Sequence, residues 1–497
     1  MSLTELKEAY GEIADLSRAA AVLSWDQQTY MPPRGFAARG QQLATLSGLM
    51  HERLTSPRLG DLLESARAAA RNADDAALLR ELAFQRDRST RLPASLVKAL
   101  ALQESRSFEA WDRAKKARNF ALFAPELREM VRLLREKASC FGYEGTPWDA
   151  LAQDYERGTD AAMVRRFFQP LRNATVKLLD EIRGASQPDD TFLRQRWSVD
   201  AQREFSLRVL RDLGYDMARG RVDLAPHPFC TSFGPGDVRI TTRYSPDDLF
   251  DGLSSVVHEM GHALYDMGFR EDDHRTPLAD APSLGIHESQ SRFWEVRIAQ
   301  SLPFWQHYLP IARQYFPGQL DGISPEQFHA ALNRVEPDFI RVEADEVCYN
   351  LHIIIRFELE VSILAGELEV EDIPAAWNES YKANLGIDVP DDAKGCLQDV
   401  HWAYGSFGYF PSYTFGNIFA AMLVEKLERD RPALWDEVRR CDYDGIRQWL
   451  LTNIHQQGAR LAPMDLIRKV TGEEPSAAAL IRHLDYKYRT LYGLAQP

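Results

Sequence analysis

The stretch VVHEMGHALYDM (256–267) sets His258 and His262 four residues apart, with Glu259 beside the first. On a helix the two imidazoles fall about 40° apart on one face, and Glu259 lies about 100° from His258. Two such rings can share a tetrahedral divalent cation, and a carboxylate to the side can reach a water there without ligating the ion. The apolar residues Leu249, Leu253, Val256, Val257, Met260, Leu264 and Met267 fall on the opposite face. An ordinary amphipathic surface helix has the same layout, so the pentapeptide needs a third ligand before it means metal.

Glu288, in SLGIHESQSRFWE (283–295), is the candidate. The interval from His262 accommodates the end of one helix, a loop and a returning helix capped by Ser283. Two histidines, one glutamate and an open position make a catalytic set, whereas closed structural zinc sites favour cysteine, and no cysteine lies in these segments. Asp266, one turn beyond His262, is placed to accept that ring's second N–H.

These side chains need elements to hold them. For the histidine helix the sequence offers Ser245 as cap, Pro246 in the first turn, Asp247 and Asp248 at the positive end, and Gly268 as the stop. Just before it, HPFCTSFGPGDVRITTRY (227–244) contains a strong turn, GPGD, and an alternating strand, so a small hairpin is expected beside the helix. Elsewhere apolar residues recur every three or four positions, as in LFAPELREMVRLLREKA. The breaks are short turn clusters without a long linker or repeat. The expectation is a mainly α fold in a single domain spanning 1–497.

The 497-residue chain carries a net charge of −14 without a basic stripe, which argues against nucleic acid and against an anionic membrane surface as partners. The N-terminal residues lack the apolar region of a signal peptide. The most apolar stretch, LHIIIRFELEVSILAG, is interrupted by Arg356, Glu358 and Glu360, so no membrane span is expected. Five dispersed cysteines read as reduced thiols of a cytoplasmic protein.

Beyond HEMGH (258–262), the chain carries HPF (227–229), DVRIT (237–241), HESQ (287–290), IRVEAD (340–345) and GCLQDVHW (395–402). With these six motifs in order, it resembles the M32 metallocarboxypeptidases. The resemblance implies a helical, saddle-like body around a deep groove, a homodimer, and one zinc per chain that cobalt can replace. It implies release of single residues from the free C-terminus of peptides with broad side-chain tolerance. His258, His262 and Glu288 then hold the metal and Glu259 is the general base. His401, Tyr409 and Tyr413, around GSFGYFPSYTFGN (405–417), are candidates for contact with the oxyanion or substrate. For the terminal carboxylate, whose two oxygens match a guanidinium fork, Arg341 is the first candidate and Arg239 the second. His227 is a candidate for contact near the cleaved bond, and the hairpin edge for pairing with the substrate backbone. Two alternatives stand beside this reading: a helical oligoendopeptidase, and a non-catalytic peptide-binding scaffold.

Overall fold

The computed structural model describes residues 3–496. The three- and four-residue apolar spacing becomes a succession of helices. The first four are α1 (Leu3–Thr29), α2 (Phe36–Thr55), α3 (Pro57–Arg67) and α4 (Ala73–Thr90). They share a small core of their own, with Leu6, Leu59, Leu62, Leu78 and Leu82 at its centre and Leu278 inserted from the body.

A second and much larger core runs from Ala110 to Tyr492. It is built from α5 (Ala94–Ala117), α6 (Ala124–Phe141), α7 (Pro147–Ala152), α8 (Ala161–Arg183), α9 (Val199–Leu213), α10 (Asp251–Met267), α11 (Leu284–Arg292), α12 (Leu302–Tyr315), α13 (Pro325–Leu332), α14 (Glu346–Ala365), α15 (Ile373–Leu385) and α16 (Pro411–Asp430). Further helices follow, ending with Ala478–Tyr492. Short polar side chains start many of these helices by accepting an otherwise unpaired N–H: Asn72 from Asp75, Asp160 from Met163, Ser198 from Ala201 and Asp345 from Val347 and Cys348. Among the described residues no helix is long and apolar enough to cross a membrane.

The expected hairpin is present. Strand β2 (Cys230–Ser232) runs antiparallel to β3 (Val238–Thr242), with Cys230 opposite Ile240 and Ser232 opposite Val238. A third strand, β1 (Val222–Leu224), pairs parallel to β3 on its other side. The sheet order is therefore β1-β3-β2. The alternating strand lies in the middle, so it is not an edge, and Thr241 is buried along with Val238 and Ile240.

The histidine helix starts five residues later than Ser245 as cap suggests. The carbonyl of Ser245 is taken by the Gln202 side chain at 2.7 Å and that of Pro246 by the Trp197 N–H at 2.7 Å. These carbonyls are committed to α9 and its approach, so they cannot open a helical ladder. Asp248 instead caps the start, accepting from the N–H groups of Phe250 at 2.7 Å and Asp251 at 3.1 Å.

Candidate metal centre and active site

Three packed helices hold the chemistry. On α10, Gly261 faces the backbone of α11 so closely that a Cβ there would stand 2.5 Å from the Gln290 carbonyl oxygen. On α16, a Cβ at Gly416 would stand 2.4 Å from Cγ of Glu288. Glycine at these two positions lets α11 sit between its neighbours with Glu288 turned toward the histidines. Ser283 caps α11 as expected, accepting from Ile286 N–H, and the buried Glu156 takes the N–H of Gly285. After Arg292 the helix continues as a π-helical turn, Phe293–Ala299.

His258, His262 and Glu288 come together with their ligand atoms all within 4.8 Å of one another. Glu288 Oε2 stands 3.6 Å from His258 Nε2 and 3.4 Å from His262 Nε2. A tetrahedral zinc with bonds of about 2.1 Å holds its ligands about 3.4 Å apart, close to both separations of Glu288 from the histidines, so the donor set suits such an ion. The first ring is oriented from behind: His258 Nδ1–H donates to Glu295 Oε2 at 2.8 Å, which turns Nε2 toward Glu288. Glu295 is itself fixed by Ser254 at 2.7 Å and Arg292 at 2.8 Å.

The field at this point favours positive charge. Burial works against the His258 imidazolium, yet Glu288 and Glu295 overcome it and hold the ring up at about 9. Burial works against the Glu288 carboxylate too, and the two imidazoles hold it down at about 2. Burial, aided by His287, pushes His262 down to about 4, leaving a neutral ring with a free lone pair. Glu259 is 7% exposed. Burial pushes it up to about 7 against the pull of His258, with Glu288 and Glu295 adding to the rise.

Asp266 does not serve His262. It faces His287, whose Nε2 is 3.1 Å from Asp266 Oδ1, and the His287 ring stacks on that of His262 at 4.4 Å. His287 thus covers the face of the His262 ring and takes the carboxylate for itself, and Nδ1 of His262 has no partner among the described residues.

On the other side lie the aromatic candidates. His401 Nε2 is 3.3 Å from the Tyr413 hydroxyl, and burial keeps His401 neutral, down at about 4. The rings of Tyr409 and Tyr413 are 5.3 Å apart. Burial and then Glu288 raise the Tyr409 hydroxyl above its usual range, so it is a hydrogen-bond donor at neutral pH. Arg341 lies over the Tyr413 ring at 4.8 Å. Its Nε and Nη2 donate to Asp399 Oδ1 at 3.1 and 2.9 Å, and its Nη1 to the Tyr349 hydroxyl at 3.1 Å. One N–H on each Nη remains.

The other two candidates stand apart. Arg239 is forked on Asp237, with both bonds at 2.8 Å, and lies over Trp25 of α1 at 4.3 Å. It braces the N-terminal helices against the sheet. His227 is exposed on the loop between β1 and β2, with no hydrogen bond or ion pair among the described residues. Past His287 and Asp266 a cavity of about 540 Å³ opens toward α1, α2 and α4, with Tyr10, Arg18, His51 and Gln85 in its walls.

Glu295, Tyr349, Asp399 and Arg356 were not among the sequence candidates. Glu295 had a signal: it lies seven residues after Glu288, two turns on along nearly the same helix face.

Comparison with known proteins agrees with this geometry. The description of the carboxypeptidase Taq (M32) metallopeptidases matches residues 5–488. Thermostable carboxypeptidase 1 of Thermus thermophilus is 42% identical over 98% of both chains, and carboxypeptidase 1 of Bacillus subtilis 37% identical over 97% of both. The crystal structure of the M32 carboxypeptidase from Deinococcus radiodurans R1 superposes with a TM-score of 0.96 at 38% identity, covering 99% of each chain. With the motifs, the helical fold and these full-length relatives in agreement, the chain belongs to the carboxypeptidase Taq (M32) metallopeptidase family and is a metallocarboxypeptidase, a hydrolase of peptide bonds.

Proposed function

We propose that His258, His262 and Glu288 hold one zinc ion, replaceable by cobalt, and that the enzyme removes single residues from the free C-terminus of peptides with broad side-chain tolerance. The reading includes a cytoplasmic homodimer of single-domain chains. The observation that carries it is the cluster of two histidines and a glutamate within 4.8 Å of one another, with a buried carboxylate, Glu259, next to its first histidine. Such an ion, when bound, supplies Lewis acidity toward a water and toward the scissile carbonyl.

The chain's own groups do the rest. Glu259 takes a proton from the attacking water and returns it to the leaving amine, a task suited to a carboxyl whose burial raises it toward neutrality. Tyr409 and Tyr413 donate to the developing oxyanion, with His401 orienting the Tyr413 hydroxyl. Arg341 presents its two remaining N–H groups to the terminal carboxylate. Arg239 is spent on Asp237 and Trp25, which favours Arg341 over it. With β3 in the middle of the sheet, the hairpin edge that could pair with a peptide backbone is the outer edge of β2. His227, at the near end of that strand, is kept as a contact for the peptide.

The test is mass spectrometry of one peptide as free acid and as C-terminal amide, with enzyme that is intact, chelated, and reloaded with zinc or cobalt. Stepwise loss of single residues from the acid alone, abolished by chelation and restored by either ion, is expected. Internal cuts in the amide would favour the oligoendopeptidase reading, and no cleavage at all the binding scaffold.

A further inference from the structure

The charges around Arg341 do not cancel. Asp399 is held by two guanidiniums, not one: Arg341 on Oδ1 at 2.9 Å and Arg356 on Oδ2 at 2.7 Å. Arg356 comes from the middle of α14 and has no exposed surface. Its Nη1 donates to the His352 carbonyl at 2.7 Å and its Nη2 to Gln398 Oε1 at 2.7 Å, both Nη atoms also reach the Tyr381 hydroxyl at 3.5 Å, and its plane lies 4.6 Å over Trp377. The same Gln398 oxygen takes the Arg341 backbone N–H at 2.8 Å.

The other groups facing this cluster do not restore balance. His352 and His401 are driven neutral by burial. Tyr349, Tyr381 and Tyr413 have hydroxyls raised by burial and stay protonated. Lys115, donating to the Gln398 carbonyl at 2.9 Å, adds positive charge. Glu360, one turn along α14 from Arg356, is given to Trp148, Trp402 and the Gly408 N–H rather than to a guanidinium. One buried carboxylate thus faces two buried guanidiniums, and a cation left without its counter-charge in the interior is costly unless an anion completes it.

We infer that Arg356 is a positioning residue for recognition of the substrate's C-terminal carboxylate. By claiming the second oxygen of Asp399, it stops Asp399 from neutralising Arg341 and fixes the fork that Arg341 turns to the groove. The inference rests on the proposed role of Arg341 as the carboxylate anchor. The uncompensated charge lies at the end where the substrate's own charge must sit, so it serves binding of the free acid and is indifferent to an amide.

The experiment compares Arg341→Met, Arg356→Met, Arg356→Lys and Gln398→Glu with the wild type on a blocked tripeptide acid, at equal metal content and with melting temperature recorded. Arg356→Met should raise KM for the acid about 10- to 100-fold with kcat nearly unchanged, a loss of about 1.4–2.8 kcal/mol. Arg356→Lys, which keeps the charge, should recover most of that. A packing role alone would not separate Met from Lys. Gln398→Glu adds a carboxylate beside the Arg356 guanidinium and the Arg341 backbone N–H and should raise KM as Arg356→Met does without emptying the Trp377 stack, so it decides if Arg356→Met does not fold. If Arg341→Met raises KM while folded Arg356→Met or Gln398→Glu stays within twofold of wild type, the inference about Arg356 is overturned and the Arg341 assignment stands. If Arg341→Met itself leaves KM unchanged, both are overturned.

Discussion

Helices α2 and α14 are each twenty residues long, and they meet solvent in opposite ways. None of the residues of α2 is fully buried, whereas fifteen of α14 are. The buried set of α14 includes Asn350, His352, Arg356 and Glu360, each with hydrogen-bond partners. A helix like α14 cannot shift without breaking many contacts and stranding polar groups, so it fixes the Arg341–Asp399 cluster from behind. The four N-terminal helices, with a small core of their own, belong to the low-stability end of the molecule. The wall behind the candidate site is therefore rigid, and the α1, α2 and α4 wall of the cavity is lightly held.

The rigid wall should show its largest effect at Glu259. Glu259→Gln keeps size and burial but removes the proton acceptor. The expected loss in kcat is about 10³- to 10⁴-fold, toward the upper end of what general-base catalysis supplies, with metal content unchanged by atomic absorption. Residual turnover within tenfold of wild type would remove Glu259 from the base's role.

The next effect tests whether α14 is as dry as its burial states. Burial pushes Glu360 up to about 7, against the hydrogen bonds from Gly408, Trp148 and Trp402 that favour its ionised form. The folded chain then holds this proton more tightly than the unfolded chain does. Stability from this group is complete below the ordinary carboxyl value of 4.5 and is lost as pH rises through about 7. Across that window the cost is on the order of 3 kcal/mol. Urea midpoints of wild type and Glu360→Gln should therefore diverge in favour of Gln by about that amount between pH 5 and pH 8. A pH-independent gap would mean that the α14 interior is solvated.

How far the sequence revealed all this follows the same division. HEMGH and Glu288 were legible because metal chemistry demands particular side chains at helical spacing, and the structure places all three within reach of one ion. The start of α10 was not, because the carbonyls of Ser245 and Pro246 are claimed by Gln202 and Trp197, more than forty residues earlier in the chain. Asp266 was paired with the wrong histidine because only the folded chain lays His287 across His262. Strand β1 is three residues of unremarkable composition, visible only through its partner β3. Asp399 and Arg356 carry no local signal either, since their meaning is a charge balance among segments far apart in the chain.

A smaller effect tests the seam between α11 and α16. Gly416→Ala would press a methyl group onto Glu288, and overpacking of this kind costs about 2 kcal/mol. The damage should fall on the metal before the fold, because the displaced atom belongs to a candidate ligand. A fall of about tenfold in zinc affinity is expected in a chelator competition titration. Unchanged affinity would show that the helices have slack the packing does not suggest.

The smallest effect belongs to the lightly held wall. Trp25 is 6% exposed and lies beneath Arg239 at 4.3 Å and Arg221 at 5.3 Å, so a cation–π contact ties α1 to the sheet. Trp25→Leu keeps apolar bulk and removes the ring. The expected cost is about 1 kcal/mol. Because α1 to α4 have their own core, that cost should appear as local opening: faster amide exchange in α1 and α2, with α10, α11 and α14 unchanged. The catalytic wall is untouched by this substitution, so kcat should hold and only KM should rise, by a few-fold, as the cavity wall loosens. Exchange that quickened equally in α14 would mean that the two regions open as a single cooperative unit, and the contrast between them would then lie in their burial and not in their stability.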